Sequence, residues 1–360
     1  MFNFIKNLFD FNKIKSSKME SEIFEQPDIL EKLSKKFILS NDKIKIDMPD
    51  NVNKIALIAS GSSYHSATIA ANYLRNNVHC DAQSYYASEF SLVDNVYVDA
   101  ETLYIFISQS GETADTNKSI EKVSAKTNKT LAITNTKDST LYNAAKYKIL
   151  TYAGEEKSIA STKAMSAQLF CLFLIAAKIM QQKEMPCDKI IYELKHAGVN
   201  VKKSFSFRNQ IKCYSEKLKD YDNAALLASG MFYPLAKEGA LKIKETSYIN
   251  TTAYPTGEFL HGHIAILNKR CAVISVINND NAEFTKNVIK NIQAKYKSDL
   301  LIISAIPFNS PNNIVICANT MFDIDFIFTT LVIFQLLALE TAILLERDVD
   351  KPEGLTKIVK

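Results

Sequence analysis

The chain has 360 residues, which is enough for two domains of ordinary size, and its 47% hydrophobic and 23% charged content is typical of a folded globular protein. Its formal net charge of +4, from 43 basic and 39 acidic residues, provides no large basic surface and argues against nucleic-acid binding. The six cysteines lie far apart, without a CxxC pair or histidines at metal-ligand spacing, so we expect reduced thiols, a cytoplasmic location and no metal site.

Residues 1–20 form an extension in front of the predicted fold. Within it, "MFNFIKNLFDFNKIKSSK" places Phe2, Ile5, Leu8, Phe9 and Phe11 near a helical stripe, with lysines between them. The segment lacks the uninterrupted apolar core of a signal peptide. Its pattern fits a surface helix or a contact with a partner, and binding to lipid is the less favoured alternative.

Short apolar runs alternate with segments of helical periodicity along the rest of the chain. The predicted strands cover residues 54–60, 102–108, 130–134, 147–150, 223–229, 272–277 and 300–306, and the longest predicted helices cover 161–182, 188–208 and 326–346. This alternation predicts a doubly wound α/β fold, in which helices cover both faces of parallel sheets. The last helix approaches the length of a membrane span, but Gln335 and Glu340 interrupt it, so we expect a buried helix and no membrane span.

The two halves of the chain resemble each other. "LIASGSSYHSATIAANYLR" begins at Leu57 and "LLASGMFYPLAKEGALKIK" begins at Leu226, so that Gly61 aligns with Gly230. A weaker likeness relates "FISQSGETADTNKSIEKV" to "ISVINNDNAEFTKNVIKNI", and only the first copy keeps its hydroxyl groups. We infer a duplication in which the first half retained a ligand loop, with chance similarity of strand-turn-helix units as the alternative.

Two hydroxyl-rich loops, "SGSS" at 60–63 and "SQSGET" at 108–113, follow successive predicted strands. In a doubly wound sheet such loops meet at the carboxyl edge, where helix N-termini present free backbone N–H groups. We predict that they bind a phosphate group, and the candidate residues are Ser62, Ser63, Ser108, Gln109, Ser110 and Thr113. Helix capping is the alternative use of these side chains. The chain has neither the GxxxxGK(S/T) motif of a P-loop nor the GxGxxG motif of a dinucleotide site.

A candidate acid-base face lies in "KEGALKIKE". Glu238, Lys242 and Glu245 are spaced at i, i+4 and i+7, which places them on one face of a helix. A carboxylate on such a face is able to act as a general acid or base. A surface salt bridge is the alternative interpretation.

Several long motifs resemble one known family. "SGSSYHSA", "SQSGETADT", "ASTKA", "KEGALKIKETSYINTTAYPTGEFLHG" and "DVDKPEGLTKIVK" are similar to the sugar isomerase (SIS) domain pair of glucosamine-6-phosphate synthase, and the likeness runs from "ESEIFEQPDIL" to the C-terminus. It implies two tandem SIS domains with a flavodoxin-like three-layer αβα architecture. We expect the domains at residues 21–208 and 209–346, with a tail or lid at 347–360.

The resemblance implies a role for each further candidate residue. Glu245 corresponds to the family's base for the proton transfer, and Glu238 and Lys242 hold the sugar. His261 corresponds to the family's ring-opening histidine, which suits a group that exchanges protons near neutral pH. Lys357 corresponds to a lysine that forms a Schiff base with the open ketose.

Two further positions concern the loops around the sugar. Ser161 lies where the family contacts the sugar with backbone and hydroxyl groups. His263 departs from the family, which usually has a proline at this position, and its side chain is able to alter the loop or to compete for the acid role.

We therefore expect an enzyme that binds a hexose or hexosamine 6-phosphate and moves a proton between C1 and C2, without a cofactor. No cysteine precedes Cys80, whereas the family's glutaminase domain has an N-terminal cysteine nucleophile, so we expect no built-in source of ammonia. This favours deamination of glucosamine 6-phosphate to fructose 6-phosphate and ammonia, or the reverse reaction with free ammonia. A glutaminase on a separate chain, as in a split glutamine-dependent synthase, is an alternative.

Two other functions remain as alternatives. A fructosamine-6-phosphate deglycase has the same SIS pair and also acts on a sugar phosphate. A non-catalytic sugar-phosphate sensor keeps the hydroxyl loops and is able to lose the acid-base groups, whereas this chain retains Glu245, His261 and Lys357. The family places its site between subunits, with a histidine crossing from the neighbour, so the resemblance also implies a homodimer.

Overall fold

A computed structural model describes residues 17–267, 270–296 and 298–357 of the protein. The predicted surface helix within residues 1–20 therefore lies almost entirely outside the described residues. The described chain begins with two helices, α1 (Lys18–Phe24) and α2 (Gln26–Phe37). The hydroxyl of Ser17 caps α1 by accepting the backbone N–H of Glu20.

Five parallel strands and four helices make up the first half of the fold. The strands are β1 (Lys54–Ala59), β2 (Asp81–Tyr86), β3 (Thr102–Ile107), β4 (Thr130–Thr134) and β5 (Tyr147–Leu150). The helices are α3 (Gly61–Val78), α4 (Ala87–Leu92), α5 (Ala114–Ser124) and α6 (Thr140–Ala144). The sheet order is β2-β1-β3-β4-β5. Because helices cover both faces, β1, β3 and β4 are almost completely buried, which explains their continuous apolar sequences.

Three long helices connect this sheet to the second one. They are α7 (Lys163–Gln182), α8 (Asp188–Ser204) and α9 (Arg208–Leu218), with a short 3₁₀ turn (Phe205–Phe207) between the last two. The predicted helix at 188–208 corresponds to α8 and the 3₁₀ turn, and α9, which begins at Arg208, was not predicted. The predicted helix at 161–182 begins two residues later than expected, because the chain before Lys163 forms a loop at the site described below.

The second half repeats the arrangement of the first. Its strands are β6 (Asn223–Ala228), β7 (Asn250–Pro255), β8 (Cys271–Ile277), β9 (Leu300–Ser304) and β10 (Ile314–Cys317). Its helices are α10 (Phe232–Ser247), α11 (Ala282–Lys295) and α12 (Asp323–Leu344), with 3₁₀ turns at Glu258–Leu260 and His263–Ile266. The strand order of this sheet is β10-β9-β8-β6-β7. Read from the β7 edge, it is β7-β6-β8-β9-β10, which corresponds to the order β2-β1-β3-β4-β5 of the first sheet. Gly61 and Gly230 take φ values of +56° and +58° at equivalent turns.

The predicted fold class is confirmed, since both sheets are parallel and have the flavodoxin-like strand order. Three strands were missing from the prediction, namely β2, β7 and β10. All three lie at sheet edges and are only partly buried, so their sequences lack the continuous apolar run of a central strand.

Helices α7 and α12 form the centre of the largest hydrophobic core. By length and composition each is apolar enough to cross a membrane, but 89% of each apolar window is buried inside the protein. The rings of Phe173 on α7 and Phe328 on α12 meet edge to face, with centroids 6.2 Å apart. The prediction that the segment near the C-terminus is a buried helix agrees with this packing.

Candidate active site

A cavity of about 490 Å³ opens at the carboxyl ends of β1 and β3. Its lining joins loops of the first half to helix α10 of the second half and to the C-terminal tail. The predicted residues in this lining are Ser62, Ser63, Ser108, Gln109, Ser110, Thr113, Ser161, Lys242, Glu245 and Lys357. Among the described residues, Glu238 and His261 are the predicted site residues that do not line it.

The loop at 60–63 turns directly from β1 into α3. Gly61 makes the turn with a left-handed φ of +56°, which glycine adopts without a steric penalty. The hydroxyl of Ser62 donates to Glu238 Oε1 at 2.8 Å, and that of Ser63 donates to Gln168 Oε1 at 2.9 Å. The protein therefore orients both hydroxyls, and the first N–H groups of α3 lie beside them without partners inside the helix.

The loop at 108–113 is held by its own hydroxyls. Ser108 Oγ lies 2.9 Å from Thr113 Oγ1 and accepts the backbone N–H of Gly111 at 3.1 Å. Gly111 has a φ of +70°, and a Cβ atom at this position would lie 2.0 Å from the hydroxyl oxygen of Ser139. Only glycine fits this turn, so the loop geometry depends on that residue.

Helix capping does not account for the hydroxyls of Ser60 and Thr113, whereas those of Ser108 and Ser110 accept backbone N–H groups of their own loop. Ser60 and Thr113 are the N-cap residues of α3 and α5, and neither makes a side-chain capping bond. Thr116, one turn into α5, also lines the cavity, and its fully buried Oγ1 has no hydrogen-bond partner within the described structure. Thr116 was not among the predicted residues, although its spacing of i+3 from Thr113 places both on one helix face.

Glu238 lies behind the cavity wall, where it connects the two halves of the fold. It is completely buried, and its Oε2 lies 2.7 Å from Nδ1 of His65 on α3. Burial raises the pKa of Glu238, but the Lys242 ammonium and the contacts with His65 and Ser62 outweigh it, so the pKa lies below its ordinary value. The carboxylate therefore stays ionised and organises its neighbours. His65 was missed, although it follows Ser62 by three positions on α3.

Lys242 and Glu245 form an ion pair in the lining of the cavity. The Lys242 ammonium is 2.6 Å from Glu245 Oε2 and 3.5 Å from Glu238 Oε1. Burial lowers the pKa of Lys242, but the two carboxylates outweigh this and raise it, so the side chain remains a cation. The ion pairs on this face of α10 are therefore not surface salt bridges, because the side chain of Lys242 is only 1% exposed.

Lys357 reaches the cavity from the C-terminal tail. Its ammonium donates to Glu156 Oε2 at 2.7 Å and to the carbonyl of Ser158 at 2.6 Å. The other oxygen of Glu156 accepts the backbone N–H groups of Thr162 and Ala164 at the start of α7, at 2.8 and 3.0 Å. Glu156 was missed, because only the tertiary fold brings its segment to the tail.

His261 lies on the exposed loop after β7, outside the cavity of its own chain. The chain turns at Gly262, whose φ of +103° places it in a region that favours glycine. The ring of His263 packs against that of Tyr254, with centroids 4.7 Å apart. The residue that replaces the family proline therefore has a packing contact of its own.

No group of three or more His, Cys, Asp or Glu side chains arranged to hold a metal ion occurs in the described part of the chain. All six cysteines lie in that part and are free thiols. Cys80, Cys171 and Cys271 are buried, and burial raises the pKa of each of these thiols.

Both halves of the chain are similar in sequence to known proteins. The sequence profile of the SIS domain matches residues 50–178 and 217–345. The glutamine–fructose-6-phosphate aminotransferase (isomerizing) of Campylobacter jejuni is 33% identical over 347 residues, which cover 95% of this chain and 58% of that protein. The protein of the same name from Francisella tularensis is 34% identical over 360 residues, with the same coverage. The chain thus spans 58% of the length of these curated relatives.

Solved structures show the same similarity. The C-terminal domain of glucosamine-fructose-6-phosphate aminotransferase from Francisella tularensis has a TM-score of 0.86 at 30% identity, covering 94% of this chain and 99% of that one. A glucosamine-6-phosphate deaminase from Thermotoga maritima has a TM-score of 0.77 at 22% identity, covering 95% and 99%. At that identity, the second likeness concerns the fold alone.

Proposed function

The chain belongs to the SIS domain family, and we propose that it interconverts glucosamine 6-phosphate and water with fructose 6-phosphate and ammonia. One observation carries the proposal. The hydroxyl loops of the first half, the Lys242–Glu245 pair of the second half and Lys357 of the tail all line one cavity. A phosphate site, a proton-transfer group and an amine are the groups that this reaction needs.

The phosphate end of the sugar is assigned to the two hydroxyl loops. Ser108, Ser110, Thr113 and Thr116 line the cavity beside the N-terminus of α5, and the free N–H groups there favour an anion. The unpartnered hydroxyl of Thr116 supports this assignment, since a buried hydroxyl without a partner costs free energy that a ligand oxygen would recover.

The carbon chemistry is assigned to Glu245 and Lys357. Glu245 takes the proton from one of the carbons C1 and C2 of the open sugar and returns it to the other, while the nearby Lys242 cation stabilises the developing negative charge on oxygen. The neutral Lys357 amine adds to C2 of the ketose and releases water to form an imine. In the direction of synthesis, ammonia then replaces the lysine at C2, which frees the Lys357 amine and leaves the sugar imine on which Glu245 acts; deamination runs through the same steps in reverse. Glu156, whose Oε2 lies 2.7 Å from the Lys357 ammonium, is the nearest carboxylate to take up the proton that this amine must lose.

Ring opening is assigned to His261 of the partner subunit in a homodimer. The proposal rests on the exposed position of the His261 loop, which leaves the imidazole outside the cavity of its own chain. A second copy is then needed to bring a histidine to the ring oxygen. Free cysteine thiols are consistent with action in the cytoplasm, which is part of the same proposal.

The source of ammonia distinguishes the variants of this function. Free ammonia, or a glutaminase on a separate chain, supplies nitrogen in the direction of synthesis, and neither is needed for deamination. A fructosamine-6-phosphate deglycase would use the same phosphate and amine sites on a larger substrate. A sensor would use the phosphate loops alone.

The experiment follows the reaction in both directions with the purified full chain. Glucosamine 6-phosphate is supplied and the release of ammonia and fructose 6-phosphate is measured; fructose 6-phosphate is then supplied with ammonium or with glutamine. We expect turnover in the first and second assays, and turnover with glutamine in the third would indicate a glutaminase activity that supplies the ammonia. A fourth arm supplies fructosamine 6-phosphate, and preferential turnover of it would indicate the deglycase.

The remaining outcome is also informative. If fructose 6-phosphate binds tightly but no substrate is turned over in any arm, the enzymatic proposal is wrong and the protein acts as a sensor. Gel filtration coupled to light scattering tests the homodimer directly. A monomer with full activity would remove the assignment of His261 of the partner subunit.

A further inference from the structure

Helix α1 reaches the active-site loop through one buried carboxylate. Glu22 is 3% exposed, although it lies near the beginning of the described chain and belongs to neither sheet. Its Oε1 accepts the backbone N–H of Lys157, and its Oε2 accepts that of Ser158 at 3.3 Å. Two successive peptide groups of the loop are therefore held by one side chain of α1.

The same loop holds the amine of Lys357. The carbonyl of Ser158 accepts from the Lys357 ammonium at 2.6 Å, so the backbone of Ser158 contacts Glu22 through its N–H and Lys357 through its oxygen. Only this one residue separates the two side chains in the hydrogen-bond network. A shift of the Ser158 backbone would move the amine.

A second contact connects α1 to the tail itself. The carboxylate of Asp350 accepts the backbone N–H groups of Lys18 and Met19 at 2.9 Å each, which caps the N-terminus of α1. The carbonyl of Asp350 accepts the N–H of Ile159 at 3.3 Å. Helix α1, the loop and the tail thus form one network that ends at Lys357.

We propose that Glu22 is a positioning residue for the Lys357 amine and acts through the backbone of Ser158. The inference rests on the proposed function, since it assumes that the amine reacts with the sugar. Groups that hold a catalytic side chain in place typically affect the rate strongly although they never touch the substrate.

The cost of burying Glu22 supports this role. Burial raises the pKa of Glu22, and the Glu156 carboxylate raises it further, against the opposing effect of the Lys157 N–H. Keeping the carboxylate ionised despite this raised pKa costs free energy. Glu22 therefore stabilises the fold less than its hydrogen bonds suggest.

Chemical trapping of the imine tests the proposal in the full chain. The protein is mixed with fructose 6-phosphate and borohydride, and the fraction of Lys357 that carries the reduced sugar is followed by mass spectrometry. We expect Glu22→Ala to slow trapping roughly 10- to 100-fold, because small displacements of a reacting group are costly. Glu22→Gln keeps one acceptor oxygen, so we expect a smaller loss of roughly threefold. Calorimetry should give unchanged affinity for inorganic phosphate, and kcat should fall while KM stays within about threefold.

A matched control lies on the same helix. Glu20, which is also on α1, accepts a hydrogen bond from Arg208 Nη2 at 2.5 Å. This contact lies outside the network that connects α1, the loop and the tail. We expect Glu20→Ala to lower stability and to leave the trapping rate unchanged.

The outcomes separate this inference from the proposed function. If the wild-type chain forms no trapped imine, the proposed function fails and the role of Glu22 fails with it. If the wild type is trapped and a folded Glu22→Ala variant is trapped at the same rate, the role of Glu22 alone is wrong. An equal loss in Glu20→Ala would also overturn it, by indicating a general loss of α1. Should Glu22→Ala not fold, an unchanged rate in Glu22→Gln contradicts the proposal.

Discussion

Nδ1 of His65 lies 2.7 Å from Oε2 of Glu238, although 173 residues separate the two in the chain. The contact joins α3 of the first half to α10 of the second half in a fully buried setting. Ser62 donates to the other oxygen of Glu238, and Lys242 is the nearby cation. The cavity wall therefore forms only when the two halves pack together, and this carboxylate is central to that packing.

Replacing Glu238 should destabilise the whole protein. Glu238→Ala leaves the buried Lys242 cation with one carboxylate fewer and removes the partner of His65, so we expect the free energy of unfolding to fall by about 3–5 kcal/mol. Urea unfolding followed by circular dichroism measures this loss. Glu31→Ala is the matched control, since Glu31 also pairs with a lysine at i,i+4 but lies on the surface. We expect almost no change there, because exposed ion pairs contribute little to stability, and a comparable loss in both variants would contradict the central role of Glu238.

Thr116 and Thr285 separate ligand binding from stability. Thr116 and Thr285 are as far apart in the sequence as Gly61 and Gly230 are. The Oγ1 atom of each threonine is buried and has no hydrogen-bond partner within the described structure. Only Thr116 lines the cavity. We expect Thr116→Val to weaken binding of inorganic phosphate and fructose 6-phosphate by roughly 10- to 150-fold, since a hydrogen bond to a charged group contributes about 1.5–3 kcal/mol.

The control for this prediction is Thr285→Val. Neither valine removes a hydrogen bond within the protein, so both variants should be at least as stable as the wild type. Calorimetric titration should show the loss of affinity in Thr116→Val only. Wild-type affinity in Thr116→Val would remove this hydroxyl from the phosphate site.

Gly111 should be irreplaceable for a steric reason. In Gly111→Ala the new Cβ would lie 2.0 Å from Ser139 Oγ and 2.6 Å from Ser139 Cβ, so the loop must move. We expect a marked loss of stability together with weaker phosphate binding. Gly230→Ala is the control, because Gly230 has a similar φ of +58° but open space around its Cβ position. That variant should lose only the strain energy of about 1–2 kcal/mol and none of its affinity; equal effects would show that the contact with Ser139 is unimportant.

The sequence was informative wherever local pattern determined the outcome. Continuous apolar runs located the central strands, and the Ser-Gly turns located Gly61 and Gly111 at the carboxyl edge. Edge strands such as β7 were missed, because partial burial leaves no periodic signal. Helical spacing placed Lys242 and Glu245 on one face of a helix, and the family resemblance favoured a functional site there over a surface salt bridge.

Residues defined by tertiary contact were not predictable in this way. Glu156 and Glu22 meet the tail and the loop only after folding, and no spacing rule connects Glu156 with Lys357, 201 residues later. The motifs identified Lys357 and His261 by resemblance, and of these two only Lys357 lines the cavity of its own chain.

Glu245 should be needed for proton transfer but not for binding. We expect Glu245→Gln to lower kcat by about 10²- to 10⁴-fold, the range of general base catalysis, while affinity for fructose 6-phosphate changes only slightly. Loss of solvent deuterium incorporation into the sugar, followed by NMR, would locate the defect at the proton step. Glu216→Gln is a geometric control, because the Lys219–Glu216 pair has the same 2.6 Å separation and i,i+3 spacing as the Lys242–Glu245 pair but lies on the surface. Undiminished exchange in Glu245→Gln would exclude this residue as the base.

Glu193 should give the protein a pH-dependent stability. It is 1% exposed on α8 and accepts the N–H groups of Ile324 and Asp325 at the start of α12, at 2.8 and 3.3 Å. Burial, and then the charge of Asp325, raise the pKa of Glu193 from 4.5 to about 7. Because the folded state binds the proton more tightly than the unfolded state, its contribution is complete below pH 4.5 and is lost as the pH rises through about 7.

We therefore expect the free energy of unfolding to fall between pH 5 and pH 8, with a contribution from Glu193 of up to about 3 kcal/mol. Glu193→Gln keeps an oxygen for both N–H groups but cannot ionise, so it should flatten this slope and be more stable than the wild type at pH 8. A residual slope should remain, because burial also raises the pKa of Asp325. Glu101→Gln, on an exposed carboxylate paired with Lys129, should leave the slope unchanged. If Glu193→Gln has the wild-type slope in urea unfolding across this range, Glu193 is already ionised in the folded protein and the interpretation of its burial is wrong.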